Sequence, residues 1–184
     1  MKKVILLFLS VILLTKTQAQ NSFMDVPVAG TISEATKKFK ALGFSVVSDK
    51  DNYVTLEGKM GSTDIELNLV ASPTTKTVWK FIVYLPKNDS WYSIKNEFND
   101  YRKTLIAKYG EPSKDYNFFS SPYKEGDGYE MNALVLGKCT YFSFWNDNMV
   151  LSISKFKQIS ISYENPVNSK IDDDEKERIK QKSF

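Results

Sequence analysis

The sequence contains no histidine and a single cysteine, Cys139, in 184 residues. Without histidine there is no Ser-His-Asp or Cys-His catalysis, no His-ligated zinc or haem, and no imidazole pH switch. One cysteine excludes an internal disulfide and any metal cage built from thiolates. Excess charge of one sign is scarce as well. There are 25 Lys+Arg against 22 Asp+Glu, and the surplus sits at the N-terminus. Lys2, Lys3 and Lys16 lie in residues 1–19, which hold no acidic residue; without these three the chain has 22 basic and 22 acidic side chains. That balance offers no footprint for the counter-ion release that drives nucleic-acid binding.

Long apolar runs are also missing, with one exception at the start. Lys2-Lys3 precede an apolar stretch over 4–14, and Thr17-Gln18-Ala19 supplies a small-x-small cleavage site. At about 1.5 Å per residue this stretch is too short to cross about 30 Å of hydrocarbon, so it reads as a secretory signal. Cleavage is expected between Ala19 and Gln20, with no stable membrane insertion afterwards. No cysteine follows the run, which closes the lipoprotein route. The expected compartment is periplasmic or extracellular.

What is present is the composition of a globular chain, 42% apolar and 14% aromatic. Thr31-Ile32-Ser33-Glu34 reads as a capping box, followed by Ile32, Ala35, Phe39 and Leu42 at helical spacing and by Gly43 as a stop. Strand patterns follow over 44–47, 53–60, 64–71 and 78–85. In the third, Ile65, Leu67, Leu69 and Ala71 alternate with polar residues; in the fourth, Trp79, Phe81, Val83 and Leu85 are expected on one face. Ser90 caps a long helix carrying Trp91, Ile94, Phe98, Tyr101, Leu105 and Tyr109, and Gly110 and Pro112 end it. Further strands are expected over 116–119, 131–136, 139–145, 149–154 and 159–163.

These elements predict an α+β fold with antiparallel sheet covered by helices, in which an αβββ(β) unit occurs twice. The expected organisation is a signal over 1–19, one domain over 20–169 with halves 26–86 and 87–166, and a charged flexible tail over 170–184. The tail is expected to fray or to form a loose helix.

Catalytic signals are sparse. Ser121-Pro122-Tyr123-Lys124 and Ser152-Ile153-Ser154-Lys155 match Ser-x-x-Lys, but the first lies in a loop and the second on a strand, where i and i+3 point to opposite faces. No cofactor is expected. Glu125, Asp127 and Glu130 form the densest carboxylate cluster, in a glycine-bearing loop. They are the candidates for a secreted carboxylate hydrolase acting on glycans, or for oxygen ligands to Ca²⁺. The bland reading of that loop is a solvated turn.

Aromatic content is the unusual quantity. On the strand over 139–145, Tyr141 and Trp145 share one face and Phe142 and Phe144 the other. One face is expected in the core, and the other under a helix or forming a binding surface. The candidate ligand-binding residues are Tyr123, Tyr129, Tyr141, Trp145, Glu125 and Asp127. The expected function is an exported, non-enzymatic binding module for a protein or a glycan, with no nucleic acid.

The leader, Lys108-Tyr109-Gly110-Glu111-Pro112, the loop from Tyr123 to Glu130, Lys138-Cys139-x-Tyr141 and the strand from Ile159 to Glu164 resemble a group of small exported proteins from Bacteroides-type bacteria. That group has no assigned activity, so the resemblance implies no site residues. The repeated helix-plus-antiparallel-sheet pattern is also similar to the β-lactamase inhibitor protein architecture. This likeness concerns the fold, and a fold does not carry a function with it.

Overall fold

The computed structural model describes residues 22–146 and 148–183; the leader and its cleavage site at Ala19-Gln20 lie outside them. A two-stranded ribbon, β1 (Ser22–Phe23) and β2 (Val26–Pro27), leads into helix α1 (Ile32–Ala41). The capping box is present in both directions: the Thr31 hydroxyl accepts from the Glu34 N–H, and the Glu34 carboxylate accepts from the Thr31 N–H at 2.9 Å. Gly43, at φ 91°, ends the helix in a conformation open to glycine.

Four strands follow: β3 (Ser45–Lys50), β4 (Tyr53–Met60), β5 (Thr63–Ala71) and β6 (Val78–Tyr84). Helix α2 (Trp91–Tyr109), capped by Ser90 and stopped by Gly110, opens the second half. Then come β7 (Lys114–Phe119), the short helix α3 (Glu130–Val135), β8 (Cys139–Trp145), β9 (Met149–Ser154) and β10 (Gln158–Glu164). Helix α4 (Pro166–Gln181) closes the described chain.

Strands β3 to β10 form one antiparallel sheet in the order β3-β4-β5-β6-β10-β9-β8-β7. The order is symmetric about the β6–β10 seam. Each half is a helix followed by four strands, and the last strand of one half pairs with the last strand of the other. The αβββ(β) pattern therefore occurs twice, within a single sheet. Helices α1 and α2 pack on the same side. Their buried residues, Phe39 and Phe98 foremost, meet Leu56, Leu67, Phe81, Leu151 and Ile161, all fully buried. Phe39 sits edge-on to Phe44 and Phe81, and Phe44 lies so close over Gly58 that a Cβ there would have no room.

Two expectations are corrected, and a third alternative is decided. Residues 131–136 were expected as a strand, but Glu130–Val135 is helical and buries Ala133 and Leu134. A six-residue apolar run does not distinguish the two by periodicity. On β6, Trp79 does not share the inner face. A bulge pairs Val70 with Lys80 and Ala71 with Val78, so Trp79 is the extra residue and Val78 takes the buried place. The charged segment from 170, expected to fray or to form a loose helix, lies in a helix that Asn165-Pro166 opens. The Asn165 side chain accepts from the Val167 and Asn168 N–H groups, and Pro166 stands in the first turn, where its missing N–H is harmless.

Candidate functional site

Tyr141 and Trp145 belong to the core. Each is 4% exposed, beneath α2. The Tyr141 ring stands edge-on to Trp91 and Phe98, with centroids 5.2 and 5.7 Å away, and the Trp145 indole N–H donates to the Gly110 carbonyl at 2.8 Å. A platform of these two rings facing solvent is thereby excluded. The inner residues of β8 must fill the space under a long aromatic helix, and that need decides which face turns inward. Cys139 shares the face. Burial, then the charges of Glu125 and Glu130, push its thiol up to about 12.

The loop following β7 is held by its own acidic side chains. Asp127 accepts from the Lys124 and Tyr129 N–H groups, 2.9 and 2.8 Å, and these bonds hold its carboxyl below the usual range. Glu130 accepts from the Gly126 N–H at 2.8 Å. Glu125 pairs with Lys95 of α2 and takes a long 3.4 Å bond from the Tyr141 hydroxyl. The three carboxylates are thus engaged in shaping the loop and docking it to α2. Among the described residues no group of acidic or thiol side chains is placed to hold a metal ion. Tyr123 packs partly against the core, while Tyr129 is 61% exposed and stands apart from it. The structure does not gather the six sequence candidates into one site.

The other face of the sheet is where aromatic and polar groups converge. The strand register places Tyr116, Phe142, Ser152, Ser160, Tyr84, Glu66 and Glu57 in one row across seven strands. A neighbouring row carries Lys114, Phe144, Val150, Ser162, Ile82, Asn68 and Thr55. At the β7–β8 end, Phe142 stacks on Phe144 at 6.1 Å and Tyr116 stands perpendicular to Phe144 at 6.0 Å. Tyr116 and Phe118 are 44% and 49% exposed, and Phe142 and Phe144 are half-buried. The middle is a strip of serines, with Ser152 and Ser160 bonded to each other at 2.7 Å.

The β4–β6 end is acidic. Glu57 and Glu66 stand directly opposite each other, and both are exposed. Like charges so placed repel. Asn68 donates its side-chain N–H to Glu66 at 3.0 Å, and burial with the Glu66 charge raises the hydroxyl pKa of Tyr84 and Tyr53. Beside them lies a hollow of about 670 Å³, lined by Ser45, Glu57, Glu66, Tyr84 and Gln158 among others. Alternation along 53–60 and 64–71 marks Glu57 and Glu66 as outward-facing. Their opposition follows from the two-residue Gly61-Ser62 turn, a register signal available in the sequence but unused.

These features define an α+β protein in which a repeated helix-and-four-strand unit builds one antiparallel sheet with helices packed against it. No family model, no curated protein and no solved structure matches this chain.

Proposed function

We propose that this protein is an exported, non-enzymatic binding module that takes a protein partner on the sheet face opposite α1 and α2. The observation that carries this is the cluster of Tyr116, Phe118, Phe142 and Phe144, each half-buried to exposed, on the sheet face opposite α1 and α2. Contiguous exposed aromatic surface is costly in water and marks interaction sites. Size favours a protein over a glycan. Seven inter-strand spacings of about 4.8 Å span about 34 Å, and six-residue strands run about 20 Å, which makes a face of about 700 Å². That is close to the roughly 800 Å² each side gives to a standard protein–protein interface. Charge supports a partner with a basic group near the Glu57–Glu66 end and an apolar group over the aromatic end.

The exported compartment and the likeness to the β-lactamase inhibitor protein architecture stand with this reading as proposals.

Quantitative affinity capture from an envelope extract of the producing cell, with wild type beside a Phe118→Ser/Phe142→Ser variant, tests the reading. Expected is a protein enriched by the wild type and depleted at least tenfold by the variant, at unchanged circular dichroism. Equal capture by both would remove the proposal. A variant-sensitive glycan signal in a parallel array would replace the protein with a sugar.

A further inference from the structure

Helix α4 is attached in an unusual way for a terminal helix. Its buried residues are Asp172 and Glu175, while Val167 and Ile179 are 71% and 47% exposed and Ile171 is half-buried. An amphipathic helix ordinarily docks through an apolar stripe; here polar clasps do the holding. The Glu175 carboxylate accepts from the Thr74 N–H at 2.7 Å, the Thr75 N–H at 3.3 Å and the Thr75 hydroxyl at 2.7 Å, all in the turn between β5 and β6. The Asn168 side chain donates to the Val78 carbonyl at 2.7 Å, and Asn165 to the Val28 carbonyl at 2.9 Å. Lys176 pairs with Asp172 at 2.6 Å and stands 5.7 Å from the centre of the Trp79 ring.

The seam between α4 and β6 is imperfectly matched. The Trp79 indole N–H and one Asp172 carboxylate oxygen are both buried without a hydrogen-bond partner in the protein. Unpaired buried polar atoms destabilise a closed interface. The ammonium of Lys80, which pairs with Glu164 on the open sheet face, also lies 5.6 Å from the centre of the Trp79 ring. Trp79 thus sits at the boundary between that face and α4.

We infer that α4 is a releasable strap, held over Trp79 by the Glu175 clasp, and that its release adds the Trp79 ring to the open face. Opening requires the loss of a few polar contacts and little apolar burial, so it occurs well below global unfolding. Only the consequence for binding rests on the proposed function; the opening itself does not.

Hydrogen exchange on the full chain reads the opening without any partner. Amides of 166–181 should exchange at least 100-fold faster than those of β6 and β10. In Glu175→Gln they should exchange at least tenfold faster again, with β6 and β10 unchanged. Hydroxyl-radical footprinting of the same variant should raise oxidation of Trp79 and leave Trp145 as it was. Wild-type protection of α4 equal to that of the sheet would overturn the strap. So would a variant that loosens β6 and β10 as much as α4, or one in which Trp79 stays as protected as before. The wild-type exchange gradient decides the matter even if the variant fails to fold. Because no partner enters these measurements, their failure is distinct from a failure of the affinity capture.

Discussion

Cys139 shows how far chemistry at a single residue depends on what surrounds it. A lone cysteine leaves the state of its thiol open in the sequence, but the side chain is buried and burial holds the thiol near 12. A thiol so protonated at neutral pH is a poor nucleophile. Modification by a disulfide reagent at pH 8 should be slow in the native protein and fast after denaturation; comparable rates in both states would contradict the burial. Phe98 is the corresponding case for packing. It is fully buried against the Tyr141 ring, and Phe98→Ala should destabilise the protein by about 3–5 kcal/mol in a denaturant melt. Its burial is legible from the spacing of Ile94, Phe98 and Leu105. The loss of Tyr141 and Trp145 from the candidate site was not legible, because alternation pairs Tyr141 with Trp145 without saying which face turns inward.

At the scale of elements, two contacts between neighbouring elements carry measurable consequences. Arg102 of α2 reaches Asp115 of β7, which also accepts from the Ser143 hydroxyl of β8. Burial works against ionisation of Asp115, but the bonds from Arg102 and Ser143 and the Arg102 charge outweigh it and hold the carboxyl below its ordinary value. Asp115 therefore adds stability that is complete above about pH 4, the unfolded value, and is lost as pH falls through the lower folded one. Glu97, raised by burial, works in the opposite sense. Acid titration of the melting temperature should show a shallower fall in Asp115→Asn than in wild type; identical slopes would mean that the contact contributes nothing. In the sheet, replacing Glu57 with Thr removes the like-charge pair with Glu66. It should raise stability by about 0.2–1 kcal/mol, as seen by the denaturation midpoint at low salt. Element types were readable where caps or long periodicity marked them, as for α1, α2 and β5. They were not readable at 131–136, where the run was too short, or at Asn165-Pro166, a pair that serves equally as a stop and as a start.

Across the whole molecule, the two halves share one sheet and meet through β6 and β10, with Ile161 and Val83 buried at the seam. A continuous core of this kind should unfold as one unit. Circular dichroism and tryptophan fluorescence should give coincident denaturation curves; two separated transitions would show that the halves fold independently. The sequence alone determined the α+β class, the repeated helix-and-strands pattern and the exclusion of histidine chemistry and of thiolate-built metal cages, because composition and periodicity are local properties of the chain. The tertiary structure alone decided that both halves join one sheet and that β8 turns Tyr141 inward and Phe142 outward. It also decided that the Glu57–Glu66 pair lies beside Tyr84 and that a charged terminal segment folds back onto Trp79. Each of these depends on strand order, register or helix docking, which bring together residues more than a hundred positions apart and leave no trace in local pattern.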